Sequence, residues 1–175
     1  TTLKIKTSTG IAPVKAYTYR SSASKVGICC TVAQAGDPAF VAAVAAKGTG
    51  WLRFDAFWAY IETSQGSYSW GTLDAAINTT IAAGMKPLVI IQTTPQWVSG
   101  SATVTMGPVT AAARTAYANF CRTLALRYME KLGGLEIWNE ANLEAFWKPT
   151  PSVADYIALA RPAVARLVVR LVALQ

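Results

Sequence analysis

The sequence predicts an α/β fold built from consecutive strand–helix units, and three observations lead to it. Apolar, strand-like runs alternate with helical patterns from residue 25 onward. Residues 85–92 are mostly apolar, as expected for a strand covered on both faces. Polar and aromatic residues gather directly after the strands, where parallel α/β folds carry their chemistry. Four consecutive units imply parallel strands joined by right-handed crossovers.

Each element has its own local signal. We expect strands over residues 25–32, 51–55, 85–92 and 135–139. Asp37 can cap a helix whose first residue is Pro38, and Gly48 ends it. The next helix begins at Gly71 or Thr72 and stops at Gly84. A long amphipathic helix covers residues 110–132, and Ser152 resembles the cap of a last helix that Pro162 should kink or restart.

Residues 1–24 form an extended N-terminal arm, followed by one domain over residues 25–175. Residues 3–7 alternate with strand period, a second extended run follows at 14–19, and 21–24 reads as a linker. The whole chain of 175 residues is 53% hydrophobic, which is enough for one substantial core. No apolar run has the length of a membrane span, and the N-terminus lacks a secretory signal, so we expect no membrane insertion.

Charge and residue usage narrow the chemistry. The net charge of +7 suits nucleic acid or an anionic cell-surface polymer. Since no nucleic-acid motif is present, we expect no nucleic-acid partner. The three cysteines form no disulfide framework, and Cys29 and Cys30 read as small buried packing residues. The sequence has no histidine, so we expect carboxylate chemistry, no metal and no cofactor.

The candidate site lies at the carboxyl ends of the strands. Glu140 follows the fourth strand, beside an amide and large aromatic side chains, which suits proton delivery to a stacked sugar. The candidate substrate-binding residues are Arg53, Asp55, Trp97, Trp138 and Asn139. Strand alternation sends neighbouring side chains to opposite faces, so Asn139 and Glu140 share a site only if the strand ends or curls there.

Several of these residues have alternative structural interpretations. Arg53 and Asp55 can form a structural ion pair, and Glu136 reads as structural. Trp138 and Trp97 can be core residues, while Trp70 is expected in the core. Asp55 could also act with Glu140 as an improvised inverting pair.

Several segments resemble glycoside hydrolase clan A, and most of all family 39: residues 51–58, 66–70, 86–91 with 94–97, and 136–142 with 146–147. The resemblance implies a (β/α)8 barrel that hydrolyses glycosides with retention. By this resemblance Glu140 is the acid/base and Asn139 contacts the sugar. Arg53 lies at the floor of the site, and Trp97 forms one wall of the sugar cleft. The family's nucleophile is a glutamate after strand seven, and no position here matches it. We therefore expect a partial, about half, TIM-type barrel with hydrolysis weak or lost.

The arm is similar to the start of minor tail proteins of actinobacterial phages, through residues 4–10 and 13–15. That similarity implies a virion tail-tip protein that engages host cell-envelope polysaccharide, as a homo-oligomer or with other tail proteins. The alternative is a secreted, active retaining endo-glycosidase that uses Glu140 as acid/base, of which this chain is a fragment or which a partner chain completes.

Overall fold

The computed structural model describes the backbone of residues 5–7, 10–12 and 24–172, and the side chains of residues 24–167. In the arm, strands β1 (Ile5–Thr7) and β2 (Gly10–Ala12) pair antiparallel, with Ile5 opposite Ala12. The predicted extended run 14–19 and most of the linker lie outside the described residues.

A four-stranded parallel sheet forms the centre of the domain. Its strands are β3 (Gly27–Cys29), β4 (Trp51–Phe57), β5 (Lys86–Gln92) and β6 (Gly134–Ile137), in the spatial order β3-β4-β5-β6. The register places Asp55 opposite Ile90, and Ile90 opposite Glu136. Strand order therefore follows chain order, and the predicted α/β fold with parallel strands is confirmed.

Helices follow each strand of the parallel sheet, and polar side chains cap three of the longer ones, two of them at the predicted residues Asp37 and Ser152. The Asp37 carboxylate accepts from Ala39 N, Thr110 Oγ1 accepts from Ala113 N, and Ser152 Oγ accepts from Asp155 N. The helices are α1 (Val32–Ala35), α2 (Pro38–Ala46), α3 (Trp58–Ile61), α4 (Gly71–Ala82), α5 (Gln96–Ser99), α6 (Ala111–Tyr128) and α7 (Val153–Val172).

Two features of the helices differ from the sequence prediction. Helix α1 follows β3 directly, with Thr31 and Gln34 forming a capping box that the sequence reading missed. Helix α7 runs on through Pro162, so the predicted restart there is wrong. A proline removes one helical hydrogen bond, and packing against α6 compensates for that loss.

The two faces of the sheet differ in exposure. In β4 the side chains of Leu52, Phe54 and Ala56 are buried beneath the helices. The alternate residues Arg53 and Asp55 are partly exposed on the opposite face, which we call the inner face. A parallel sheet with helices on one side and an inner face on the other is the wall of a TIM-type barrel, and four strands make half of that wall.

An aromatic cluster fixes the helices behind the sheet. The Trp58 ring stacks on Phe120 with centroids 5.5 Å apart and meets Tyr117 edge-on at 5.7 Å. Trp70 lies nearly parallel to Phe120, at an interplanar angle of 9°, which agrees with its expected core position. Each such pair contributes about 0.5–1.5 kcal/mol beyond area burial. Among the described residues, no helix is both long and apolar enough to cross a bilayer.

Candidate functional site

Backbone strain is concentrated at the carboxyl ends of β5 and β6. Three non-glycine residues there have positive φ angles: Thr93 at 69°, Trp138 at 64° and Glu140 at 45°. The left-handed region is unfavourable for residues with a Cβ, and such outliers gather at functional sites. The strand ends at Ile137, and the chain turns through the left-handed residues Trp138 and Glu140 directly after it.

Arg53 connects β4 to β6 across the inner face. Its Nε lies 2.8 Å from Glu136 Oε2, and its Nη2 lies 2.7 Å from Glu136 Oε1 and 2.8 Å from Asn139 Oδ1. Two strand spacings separate β4 from β6, about 9.6 Å. The guanidinium thus lies across β5, where Ile90 on the same face is only 1% exposed.

The partner of Arg53 is therefore Glu136 and not Asp55, which corrects the expected structural pair. A bidentate guanidinium–carboxylate pair is among the stronger polar contacts in proteins. The hydrogen bonds to Glu136 raise the pKa of Arg53 further above its ordinary value.

The orientation of the Asn139 amide follows from this network. A guanidinium only donates hydrogen bonds, so the Asn139 group that faces Arg53 is the acceptor Oδ1. The Nδ2 group is then what Asn139 can offer as a donor to a bound molecule. Arg53 and Glu136 together hold the amide in this orientation.

Asp55 lies on the inner face one step further toward the carboxyl end of β4 than Arg53. Its Oδ1 accepts a hydrogen bond of 2.6 Å from Gln92 Nε2, at the end of β5. Burial raises the pKa of Asp55, and the hydrogen bond from Gln92 partly opposes that shift. Asp55 is thus a partly desolvated carboxyl group tied to the neighbouring strand.

The cysteines correct another expectation. Cys29 is exposed on the inner face, and its Sγ accepts from Arg53 Nη1 at 3.3 Å, so it is not a buried packing residue. Cys30 is half-buried, and burial raises the pKa of its thiol to about 11. Cys121 is fully buried in α6.

Glu140 lines a cavity of about 550 Å³ between the end of β6 and the start of α7. Glu136 lines the same cavity. The Glu140 side chain is exposed, so it is available to a ligand from solvent. The geometry at this corner is thus one solvent-facing acid close to one acid that Arg53 already binds.

The two tryptophans that we expected to contact substrate, Trp138 and Trp97, differ in how accessible their rings are. Trp138 is 3% exposed, donates its Nε1 proton to Phe146 O at 2.9 Å, and packs against Tyr117 and Trp147. Its ring belongs to the core, so it cannot stack on a sugar. Trp97 is half-buried in α5 and donates to the Glu62 carbonyl at 2.9 Å. It does not line the cavity beside Glu140.

The structure joins Arg53 directly to Asn139 through the hydrogen bond from Nη2 to Oδ1. Glu140 and Trp138 line the cavity that Glu136 also lines, whereas the other predicted site residues do not line it. Sequence reasoning treated Glu136 as merely structural. A signal was available, because Arg53 in an apolar strand needs an anion and Glu136 is the one acid in the predicted fourth strand. Within the described residues, no group of three or more acidic, cysteine or histidine side chains could hold a metal.

The fold and this corner define a class: part of a TIM-type (β/α) barrel with an Asn–Glu pair after its fourth strand. Neither a family model nor a curated protein matches the sequence. Solved structures do match. A family 39 glycoside hydrolase from the gut symbiont Bacteroides cellulosilyticus WH2 has a TM-score of 0.67 and 21% identity over 81% of this chain.

Two further structures support the same fold. The β-glycosidase BGL167 has a TM-score of 0.60 and 18% identity over 82% of this chain. The exo-β-1,4-mannosidase Op5Man5 from Opitutaceae bacterium strain TAV5 has a TM-score of 0.59 and 17% identity over 88%. This chain spans 28%, 43% and 32% of the three structures respectively. The chain therefore has a glycoside hydrolase-like fold and covers less than half of each of these barrels.

Proposed function

We propose that this domain engages polysaccharide at the carboxyl end of its sheet, with hydrolysis weak or lost. The observation that carries the proposal is the corner after β6. There Glu140 is exposed, while Asn139 is held by Arg53 with its amide nitrogen available as a donor. Weak or lost hydrolysis fits the inner-face carboxylates, because Glu136 is already bound by Arg53 and Asp55 by Gln92.

We propose further that the polysaccharide belongs to a bacterial cell envelope and that the protein acts in a phage tail tip. The support is the arm sequence of residues 4–10 and 13–15, together with the net charge of +7, which favours anionic cell surfaces at long range. Under this proposal the chain also associates with copies of itself or with other tail proteins. Detection of this chain in purified virions by mass spectrometry supports it, and its absence from virions contradicts it.

A binding and cleavage assay tests the carbohydrate function. Wild type, Glu140→Gln and the control Glu144→Gln are assayed on cell-envelope polysaccharide for affinity and for released reducing ends. Glu144 is a suitable control because its side chain is 66% exposed and its contact with Lys148 is 3.9 Å long. We expect binding in all three variants and little turnover in any. Absence of both binding and turnover in wild type would contradict the proposal.

A second candidate function is an active retaining endo-glycosidase in which Glu140 is the acid/base and another segment or partner supplies the nucleophile. The network of Arg53, Glu136 and Asn139 favours it, because Asn139 lies just past the carboxyl end of β6, and that end of the strands carries the active site in a complete barrel. Its signature is turnover that Glu140→Gln abolishes and Glu144→Gln leaves intact. Retaining cleavage also requires a second carboxyl group about 5–5.5 Å from Glu140.

A further inference from the structure

The cavity beside Glu140 is built by two segments that the fold brings together. One is the turn from Ile137 to Asn142, which the left-handed residues Trp138 and Glu140 direct away from the sheet. The other is the first turn of α7, including Val153 and Tyr156. The Tyr156 hydroxyl donates to Ile137 O at 3.1 Å and ties the two segments to each other. The cavity volume of about 550 Å³ falls in the range of small-ligand sites.

The walls of this cavity are chemically divided. Ala141, Pro151 and Val153 supply apolar surface, and Val153 is 78% exposed. Polar groups border the same space through Glu140, Asn142 and Ser152. Ser152 Oγ accepts from Asp155 N as a helix cap, so its hydroxyl hydrogen remains available for donation. A pyranose ring has the matching division, with C–H groups on its faces and hydroxyl groups around its edge.

The charge of the cavity is opposite in sign to that of the whole protein. Its lining residues include two carboxylates and no lysine or arginine. Arg53 binds both oxygens of Glu136, which leaves Glu140 as the uncompensated charge at the cavity. A carboxylate or phosphate on a ligand would therefore be repelled here, although the net charge of +7 attracts anionic surfaces at long range.

We propose that this cavity is the sugar subsite of the domain and that it takes a pyranoside without an anionic group. The apolar wall around Val153 packs on one face of the ring, while Glu140, Asn142 and Ser152 contact its hydroxyl groups. The inference rests on the proposed carbohydrate function and deepens it by naming the pocket and the class of sugar.

The test uses calorimetric titration of the whole chain with matched ligands. Neutral trisaccharides of glucose, mannose, galactose and N-acetylglucosamine identify the best neutral ligand, and its counterpart oxidised to a carboxylate at C6 is then compared. We expect the oxidised ligand to bind about tenfold more weakly, as like charges near a protein surface require. In Glu140→Gln that difference should largely disappear.

A pair of lysine variants locates the site. Val153→Lys places a positive charge at the cavity wall and should reverse the preference, with the oxidised ligand bound more tightly than the neutral one. The control is Val164→Lys on the same helix, about three turns away, where the side chain is 46% exposed and does not line the cavity. Circular dichroism checks that both variants are folded.

The outcomes separate the two proposals. If wild type binds a sugar but the two lysine variants behave alike, the cavity is not the subsite, and the carbohydrate function stands. If the oxidised trisaccharide binds wild type as tightly as the neutral one, the preference for uncharged sugars is overturned. If wild type binds none of the sugars and no cell-envelope polysaccharide, the proposed function and the subsite both fail.

Discussion

At the residue scale, the contact between Arg53 and Glu136 supports the candidate site. The two side chains are 29% and 35% exposed, so solvent partly screens their charges. We predict that Glu136→Gln lowers the free energy of unfolding by about 1 kcal/mol, because the variant weakens a bidentate pair without removing its shape. Urea denaturation at low and high salt measures the change, which should shrink as salt increases.

The matched control for this prediction is Glu144→Gln. Glu144 faces Lys148 at 3.9 Å and is 66% exposed, so its loss should change the unfolding free energy by a few tenths of a kcal/mol at most. If both substitutions changed the unfolding free energy equally, the Arg53–Glu136 pair would contribute no more to stability than an exposed surface pair. Glycan binding by Glu136→Gln should also weaken, since Arg53 would then hold Asn139 less firmly.

Single residues were the hardest level to predict from sequence. Glu140 and Asn139 could be selected as candidate site residues because they follow a predicted strand directly. The sequence left Trp138 open between a core and a substrate-binding position, because its placement depends on a left-handed φ of 64°, which no residue pattern indicates. Distance along the chain also hid the pairing of Arg53 with Glu136, which lies 83 residues away.

At the scale of elements, the connection before α6 and the loop before α7 are packed closely against each other. A Cβ atom at Gly107 would lie 2.6 Å from Cζ2 and from Nε1 of Trp147, whose ring is fully buried against Trp138. We predict that Gly107→Ala destabilises the domain by about 1–3 kcal/mol, because a packed ring has no space to move into. Thermal unfolding measures the effect.

Gly71→Ala is the control for that substitution. Gly71 is the first residue of α4, and a Cβ there would meet no atom within 4 Å. Its effect should stay within about 0.5 kcal/mol. If Gly107→Ala were equally harmless, the loop that carries the cavity wall would be less firmly packed than the structure indicates.

Long elements with clear caps were predictable, whereas short ones were not. Asp37 with Pro38, and Thr110, begin their helices where expected. Helices α1, α3 and α5 have four residues each, too few for a periodic pattern. Isolated helices of that length are unstable in water, so tertiary packing and not local propensity determines them.

At the scale of the whole molecule, the sheet presents edges and an inner face to solvent. Within the described residues, β3 pairs on one side only, with β4, and Ile28 is 38% exposed there. Exposed edge strands favour pairing between chains, and an edge lysine opposes it. We predict that the isolated chain self-associates and that Ile28→Lys shifts it toward monomer, as measured by size-exclusion chromatography with light scattering.

The control for self-association is Met129→Lys. Met129 lies just after α6, is 41% exposed and belongs to no strand. It should leave the mass distribution of wild type unchanged. A wild-type chain that is monomeric at every concentration would contradict the prediction.

The overall fold was the most predictable level, because strand alternation, helix caps and breakers all indicate the same order of elements. The carboxyl-end location of the site followed from that order. The contacts between the side chains of the site could not be predicted in this way. They depend on strand register and on side chains that reach across a whole strand.

The left-handed backbone at Glu140 has an evolutionary consequence. A residue with a Cβ costs about 1–2 kcal/mol in that conformation, and glycine avoids the penalty. In homologues that no longer use the Glu140 carboxylate, a glycine at this position would therefore increase thermal stability. A family tree of this domain should show glutamate persisting in branches that use the acid and glycine spreading in those that have abandoned it.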